Sequence, residues 1–206
     1  RGYLEKYSPA VKPHAIFYSG PESLLRPEVT RHLTKLDSVP VPHPAEVLVI
    51  LPEPPRRPFS KTKEQRKYRK IIRSVMSGNQ LRKVHVCTVS KFFGLVPMEL
   101  DETYPLAQHE VPRTPDMESK KLISHTIRTY IKNHTYKAAV IHVEHKVLPK
   151  GVVKKILDTC LQLGIYAVAT PKEPVNPRSK GALGELRDAL LEAHKATAAS
   201  LEKKPN

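Results

Sequence analysis

The sequence predicts an α/β fold, with a mostly parallel sheet of four or five strands and helices on both faces. From Glu46 onward, short apolar runs rich in β-branched residues alternate with segments whose apolar residues recur at helical spacing. Such alternation is typical of parallel strands joined by right-handed helical crossovers. The chain has 206 residues, enough to bury one good core, so we expect one domain with flexible ends.

Four segments are predicted to be buried strands. Each is short and rich in β-branched or other apolar residues, and a Pro, Lys, Glu or Thr follows it. They are Glu46–Leu51, Lys83–Ser90, Ala138–Val143 and Ile165–Ala169. Four helices are predicted from apolar residues that recur every three or four positions. These stripes are Tyr68, Ile71, Ile72, Val75 and Met76; Ile123, Ile127, Tyr130 and Ile131; Val153, Ile156, Leu157, Cys160 and Leu161; and Leu183, Leu186 and Leu190.

The remaining segments divide the chain into three parts. Residues 1–45 form an N-terminal extension, in which we expect a short strand at Ala15–Tyr18 and a helix at Pro27–Leu36. Prolines 40, 42 and 44 predict an extended connector to the core domain, residues 46–196. Residues 197–206 are expected to be a basic, flexible tail. Within the core, the proline-containing loop Gly94–Pro115 is long enough to suggest a functional or partner-docking role.

Positive charge is the strongest functional signal in the sequence. Lys and Arg number 35 against 20 Asp and Glu, which gives a formal net charge of +15. This excess makes nucleic acid the leading class of partner. The densest block, Pro52–Arg73, includes a predicted helix from Lys63 to about Ser77. Its apolar stripe should pack on the sheet while its cations contact phosphate, although a merely solvated helix face is the alternative.

The loop before this helix joins the carboxyl end of the first core strand to the helix, an edge where open α/β sheets bind ligands. Arginines there suit bidentate phosphate contacts, and Phe59 either stacks on a base or serves as a buried anchor. Further cations lie in the C-terminal half, so binding is expected on more than one side. The candidate RNA-binding residues are Arg56, Arg57, Phe59, Lys61, Lys63, Arg66, Lys67, Lys70, Arg73, Lys154, Lys155, Arg178 and Lys180.

Other reactive groups favour structural roles. Cys87 and Cys160 lie in apolar runs and are interpreted as buried thiols. His142 and His145 could hold a metal together with Glu144, but one packed and one exposed histidine is the favoured interpretation. Acids of the long loop, Asp101, Glu102 and Glu110, either form an acid–base set with His109 or pair with the basic helix, which is favoured. We expect no metal, no cofactor and no membrane span, in a cytoplasmic protein.

Three segments carry a resemblance to a known family. They are Arg26–Leu33, Val47–Arg73 and Ser90–Met117, and the last contains the pattern GLVPxELxxxYP from Gly94 to Pro105. In these segments the chain resembles the C-terminal core domain of archaeosine synthase, an archaeal enzyme related to the tRNA-guanine transglycosylases. The resemblance runs from about Tyr18 to about His145, roughly 60% of the chain, and implies a shared fold and origin.

The chain departs from that family at its catalytic signature. The signature is a Pro-Cys pair, three residues, Lys-Pro-Tyr, two residues, Ser, two residues and His. The two prolines are kept as Pro52 and Pro58. The Cys, Lys, Tyr, Ser and His positions hold Glu53, Arg57, Phe59, Thr62 and Gln65.

The resemblance implies that the family's lysine and its neighbours support chemistry on a nitrile base in tRNA. Arg57 cannot replace a nucleophilic lysine, because its guanidinium stays protonated. Glu53 is not a thiolate, and Gln65 cannot shuttle a proton. We therefore expect a fold that was retained after its reaction was lost, with no catalytic residues and no small-molecule substrate.

The leading hypothesis from the sequence is a non-catalytic RNA-binding protein, an accessory structural protein of the archaeal ribosome. Its expected partners are ribosomal RNA and ribosomal proteins, with tRNA as the second choice of RNA. The alternative is a subunit or domain of a tRNA-modifying, archaeosine synthase-like enzyme that grips tRNA while a partner supplies the missing groups. A third interpretation is a protein-interaction subunit whose positive charge meets an acidic partner.

Overall fold

The computed structural model describes residues 16–17, 21–36, 45–110 and 116–202. The strands are β1 (Ile16–Phe17), β2 (Val47–Pro52), β3 (Val84–Ser90), β4 (Gly94–Pro97), β5 (His109–Glu110), β6 (Ala138–His142) and β7 (Tyr166–Thr170). Five of them form one sheet in the order β4-β3-β2-β6-β7. All neighbours in this sheet are parallel except β3 and β4, which are antiparallel. The predicted α/β class and mostly parallel sheet are confirmed, and each predicted core strand is found within about one residue of its expected bounds.

Helices cover both faces of the sheet, as predicted. They are α1 (Pro27–Leu36), α2 (Lys63–Val75), α3 (Asn79–Arg82), α4 (Met117–Asn133), α5 (Lys150–Gln162) and α6 (Lys180–Glu202). Helices α4 and α5 contribute their apolar stripes to one buried cluster, and α2 and α6 contribute theirs to the other. The exception is Leu161, which was predicted to belong to the α5 stripe but is 77% exposed. Helix α6 continues to Glu202, beyond the boundary at residue 196 that the sequence suggested for the core.

The central strand β2 explains why the two clusters lie back to back. Leu48 and Ile50 point into the cluster of α4 and α5, while Val47, Val49 and Leu51 point into that of α2 and α6. Every one of these side chains is buried. A strand that is covered on both faces needs a continuous apolar run, and that run is what made it visible in the sequence.

Strand β4 lies inside the segment that was predicted to be a long loop. It pairs antiparallel with β3, with Gly94 opposite Ser90. Gly94 has a φ of +65°, and a Cβ atom there would lie 2.7 Å from Thr126 Oγ1. Glycine therefore permits both the turn into β4 and the close approach of α4. The strand was missed because four residues that begin with Gly and end with Pro give no clear strand signal.

A separate two-stranded sheet is formed by β1 and β5, and β1 was expected from the sequence. Strand β1 covers part of the predicted strand Ala15–Tyr18 and pairs in parallel with β5. The expected connector at prolines 40, 42 and 44 lies outside the described residues, as does the last part of the expected tail.

The two cysteines are free and buried, as expected. Burial raises the pKa of the Cys87 thiol well above its usual value and that of Cys160 to about 11, so neither is a ready nucleophile. Among the helices described, none is both long and apolar enough to cross a bilayer.

Candidate nucleic-acid interface

The sequence of helix α2 determines both where the helix begins and which of its sides packs on the sheet. Thr62 caps its N-terminus, because its Oγ1 accepts a hydrogen bond from Gln65 N at 3.2 Å. The buried side of the helix carries Tyr68 and Ile72, which pack on the sheet. This amphipathic arrangement forces the lysines and arginines of the same segment to the outer side of the helix.

Four cations on that outer side form what we call the basic face. They are Lys63, Lys67, Lys70 and Arg73, and all four are exposed. None has a side-chain hydrogen-bond or ion-pair partner among the described residues, and the same is true of exposed Arg56 in the preceding loop. Glu64 lies on the same helix but pairs with Arg178. The four cations therefore repel one another, and an incoming polyanion gains their attraction without first breaking an ion pair.

The other cations of the block are held by the protein. Arg66 Nη2 donates to Lys61 O at 3.1 Å, and Arg69 Nη2 donates to Ser60 O. Lys61 pairs with Glu102 at 2.9 Å, but both side chains are more than half exposed. The pair is therefore weak, and Lys61 remains able to exchange its partner for a phosphate.

Arg57 forms a buried ion pair in place of the phosphate contact expected from the sequence. Its Nη2 donates to Glu53 Oε1 at 2.5 Å, and its Nη1 donates to Pro54 O at 3.0 Å. The side chains of Arg57 and Glu53 are only 9% and 3% exposed. The Glu53 carboxylate also accepts hydrogen bonds from Ser90 Oγ at 3.4 Å and Lys91 N at 3.3 Å. This pair therefore fixes the loop after β2 against the end of β3.

Phe59 adopts the second of its two expected roles, a buried anchor. Its ring is 1% exposed and packs in a small cluster with Phe92, Phe93 and Val96. The guanidinium carbon of Arg57 lies 4.6 Å from the ring centroid, which adds a cation–π contact. Stacking of Phe59 on a nucleic-acid base is not available in this arrangement.

Two acids of the long loop contact the segment just before α2, so the favoured pairing with the basic helix itself is not found among the described residues. Asp101 is buried and accepts from Ser60 N at 2.5 Å and Ser60 Oγ at 3.2 Å. Glu102 pairs with Lys61. The side chains of His109 and Glu110 lie outside the described residues, so the alternative acid–base set remains a prediction.

Glu99, from the GLVPxELxxxYP segment, anchors that segment to β3. Its Oε2 lies 3.2 Å from Nε2 of buried His85, whose Nδ1 lies 2.7 Å from the Tyr136 hydroxyl. Burial raises the pKa of Glu99, but the hydrogen bond with His85, a main-chain hydrogen bond and the charge interaction with His85 together outweigh it and hold that pKa below its usual value. The most family-like segment thus has a structural role in positioning the loop that holds Ser60.

A pocket of about 460 Å³ lies where this loop meets the N-terminus of α2. It is lined by Pro55, Arg56, Arg57, Pro58, Lys61, Thr62, Lys63, Glu64 and Arg66. Five of the nine residues are cationic and one is acidic. The amino end of a 13-residue helix adds to the positive potential, so the pocket suits a phosphate group or another anion.

The positions that correspond to the family's catalytic signature converge beside this pocket. Gln65, at the histidine position, is buried and donates through Nε2 to Thr88 Oγ1 at 3.2 Å. Its Oε1 has no hydrogen-bond partner within the described part of the chain. In this arrangement Glu53 accepts hydrogen bonds and Arg57 donates them. Both are engaged with protein groups, so neither presents a free nucleophile.

The remaining candidate cations occupy two places. Arg178 Nη1 lies 3.7 Å from Glu64 Oε1, so the structure brings Arg178 beside α2. Lys180 is exposed at the start of α6. Lys154 and Lys155 are exposed on α5, a helix that covers the opposite face of the sheet. The candidate residues therefore form one surface around α2 and a separate one on α5.

The two histidines at the end of β6 are structural, and no metal-binding cluster of three or more ligands occurs in the described part of the chain. His142 is buried, with Nδ1 2.8 Å from Thr170 Oγ1 and Nε2 2.8 Å from Pro177 O. Burial lowers the pKa of His142 to about 4, so the ring is neutral near pH 7. His145 is half-buried and bonds to Pro171 O at 2.9 Å.

Sequence reasoning missed a second pocket, of about 260 Å³, at the carboxyl ends of β6 and β7. Its charged residues include Lys150, Lys154 and Lys172. The sequence shows that lysines are frequent in this part of the chain. The pocket, however, exists only because β6 and β7 are neighbours in the sheet. That adjacency cannot be derived from the spacing of the lysines.

Comparison with known proteins gives these surfaces a family context. A family model described as "Domain of unknown function (DUF5591)" matches residues 29–190. The chain is 35% identical over 172 residues to a protein of Methanobrevibacter smithii named tRNA-guanine(15) transglycosylase, covering 84% of this chain and 23% of the relative. It is 31% identical over 175 residues to archaeosine synthase subunit alpha of Methanosarcina acetivorans, covering 83% of this chain and 26% of the relative. The chain thus spans about a quarter of the length of these relatives.

A solved structure supports the fold alone. It is the crystal structure of a protein of unknown function, with a TM-score of 0.51 and 16% sequence identity. The superposition covers 77% of this chain and 48% of the other.

These relatives correct the leading hypothesis from the sequence. The expectation of a non-catalytic accessory protein of the ribosome is wrong, because the relatives carry enzyme names that point to tRNA modification. Ribosomal RNA and ribosomal proteins find no support as partners. The loss of the catalytic signature was given too much weight, since a domain can belong to an enzyme without containing the groups that react. The resemblance itself is confirmed, and the chain belongs to the DUF5591 domain family, which is related to archaeosine synthase.

Proposed function

We propose that this chain is a subunit or domain of a tRNA-modifying enzyme, in which it binds and orients tRNA. The observation that carries the proposal is the basic face of α2 together with the cationic pocket at its amino end. The relatives named for tRNA-guanine transglycosylation and archaeosine synthesis favour tRNA over other polyanions. Such a role belongs in the cytoplasm, where tRNA is available.

The division of labour within the α2 region supports binding to the phosphate backbone. Arg57, Arg66 and Arg69 hold the loop and helix in place, while Lys63, Lys67, Lys70 and Arg73 are left for a partner. A rigid support with flexible cations on its surface suits a polyanion whose phosphates are regularly spaced. Contacts of this kind fix the position of an RNA and carry no base specificity.

The position of the interface suits an enzyme that works on one site of a folded RNA. The basic face adjoins the corner where the family places its catalytic signature, at the carboxyl edge of the sheet. A tRNA held along α2 would bring part of its backbone to that corner. The match covers only 23% and 26% of these two relatives, so their segments outside the match are candidates to complete the reaction site.

The proposal is tested by ultraviolet crosslinking of the native protein in cell lysate, followed by sequencing of the bound RNA. The expected result is strong enrichment of tRNA, with crosslinked peptides from the α2 region. A profile dominated by ribosomal RNA, or one that matches total RNA, would contradict the proposal. A double variant, Lys67→Glu with Lys70→Glu, should lose the crosslinks. The matched double variant Lys121→Glu with Lys132→Glu, on α4, should keep them.

A further inference from the structure

The second pocket, at the carboxyl ends of β6 and β7, combines an apolar floor with a cationic rim. Ala169 lines it from β7, Val143 lines it from the residue after β6, and Val153 and Leu157 line it from α5. Its volume of about 260 Å³ lies near the lower end for small-molecule sites, about 300 Å³. A planar, largely apolar group that carries a negative charge at one end is the type of ligand that fits this combination.

Three lysines from two elements supply the positive charge. Lys150 and Lys154 lie one turn apart on α5, and Lys172 follows β7. Among the described residues the ammonium groups of Lys154 and Lys172 have no partner, while the main-chain N of Lys172 donates to Glu185 Oε2 at 2.8 Å. Lys150 lies 3.8 Å from Glu173, but both side chains are about two-thirds exposed or more, so that pair is weak. Like charges one turn apart on a helix repel each other, and a bound phosphate would relieve that repulsion.

The pocket is held open by hydrogen bonds between the elements around it. His145 bonds to Pro171 O at 2.9 Å, and Val143 N donates to Thr170 O at 2.9 Å. These bonds join the end of β6 to the end of β7. The floor is therefore already formed before any ligand arrives, which lowers the entropy cost of binding.

The pocket also lies on the same edge of the sheet as the basic interface. Val143 lines both this pocket and a small cleft of about 10 Å³ that Glu53 lines as well. Glu53 in turn pairs with Arg57, which lines the first pocket. Strand β6 separates β2 from β7, and neighbouring strands lie about 5 Å apart, so the two sites are close.

We propose that this pocket binds one unpaired nucleotide of the RNA, with its base on the apolar floor and its phosphate at Lys154 and Lys172. This inference rests on the proposed function and adds a second contact point to it. A site for phosphate alone would have no use for the apolar floor. An unpaired nucleotide presents both a base and a phosphate, as single-stranded segments of folded RNAs do.

The chain offers a matched control for the test, because Lys154 and Lys155 are adjacent, exposed and equal in charge. Only Lys154 lines the pocket. In titrations of fluorescent tRNA, Lys154→Glu and Lys172→Glu should each weaken binding about tenfold, since each removes a phosphate contact and adds a repulsive charge. Lys155, which the sequence suggested as an RNA-binding residue, does not line the pocket, so the proposal assigns it no phosphate contact. Lys155→Glu should therefore weaken binding less than about twofold, because its charge acts only at a distance. Equal effects of Lys154→Glu and Lys155→Glu would overturn the assignment.

A second measurement separates a nucleotide site from a phosphate site. The full chain, labelled at its Val and Leu methyl groups, is titrated with adenosine monophosphate, ribose 5-phosphate and inorganic phosphate at millimolar concentration. Adenosine monophosphate should shift the methyl signals of Val143, Val153 and Leu157, and the other two should not. Equal shifts with all three, or no shift with the nucleotide, would overturn the inference.

The two proposals can fail separately. If wild-type protein binds tRNA, and charge reversal on α2 abolishes binding while Lys154→Glu matches Lys155→Glu, only the nucleotide pocket is wrong. If wild-type protein does not bind tRNA, the proposed function is wrong, and the methyl shifts still decide whether the pocket takes a nucleotide.

Discussion

Arg57 and Glu53 form an ion pair at 2.5 Å in which the two side chains are 9% and 3% exposed. Arg57 also covers the ring of Phe59, and Glu53 also accepts from Ser90 and Lys91. The pair therefore connects the β2–α2 loop, the small aromatic cluster and the end of β3. It stands where the related family has its lysine and cysteine, so the same positions that serve reactivity there serve rigidity here.

Removing one partner of this pair should destabilise the protein strongly. Arg57→Ala leaves the Glu53 carboxylate buried without its cation, which typically costs about 3–5 kcal/mol. Chemical denaturation measures the free energy of unfolding directly. The control is Lys121→Ala, which breaks the exposed pair with Glu118 and should cost less than about 1 kcal/mol. Similar losses for the two variants would contradict the structural role of Arg57.

Gly94→Ala should destabilise the protein by about 3 kcal/mol, from overpacking and from the positive φ. The new Cβ would lie 2.7 Å from Thr126 Oγ1, a hydroxyl already held by its bond to Leu122 O at 2.8 Å. Gly151→Ala is the matched control, because a Cβ there meets nothing within 4 Å. It lies in a helix, so it should be neutral or stabilise by about 0.5 kcal/mol. Thermal unfolding of the two variants makes the comparison, and equal melting temperatures would count against the contact.

His142 should make the protein less stable as the pH falls from 6.5 toward 4. Its pKa is lowered by burial to about 4 in the folded protein, from an ordinary value of 6.5. Between these values the unfolded chain binds a proton that the folded protein does not, so the free energy of unfolding falls by about 1.4 kcal/mol per pH unit. Denaturation curves at several pH values should show a shallower slope for His142→Gln than for wild type. The exposed His125→Gln control should keep the wild-type slope, and identical slopes in all three would refute the assignment.

Thr62→Ala should weaken the start of α2, because its Oγ1 caps Gln65 N. Losing such a cap typically costs about 1 kcal/mol. The cationic pocket is built on this turn, so tRNA affinity should fall as well, although no charge has changed. Thr62→Ser keeps the hydroxyl and should restore both stability and binding. If Thr62→Ser behaves like Thr62→Ala in denaturation and in tRNA titration, the cap is not what supports the pocket.

The strands and helices were accessible from the sequence because burial on both sheet faces leaves continuous apolar runs and clear helical stripes. The basic face of α2 could also be predicted, because the apolar stripe of that helix packs on the sheet and leaves its cations on the outer side. The roles of Arg57 and Phe59 could not be predicted. In a proline-rich loop the sequence pattern is the same whether a cation or an aromatic ring faces solvent or the core. The pocket at the ends of β6 and β7 was also out of reach, since it depends on strand order. The prediction of a ribosomal role was wrong for a different reason. A chain that lacks catalytic groups can still be a subunit or domain of an enzyme.

The most direct test of the central claim is the salt dependence of tRNA binding by the wild-type chain and two double variants. In anisotropy titrations, wild type should show a log–log slope of about −4 from the cations of the basic face and Arg56, and the phosphate contacts proposed for Lys154 and Lys172 would make the slope steeper still. Lys67→Glu with Lys70→Glu should bind far more weakly, with a slope shallower by about 2, while Lys121→Glu with Lys132→Glu on α4 should match wild type. Absence of tRNA binding at low salt, or equal losses in both double variants, would contradict the account.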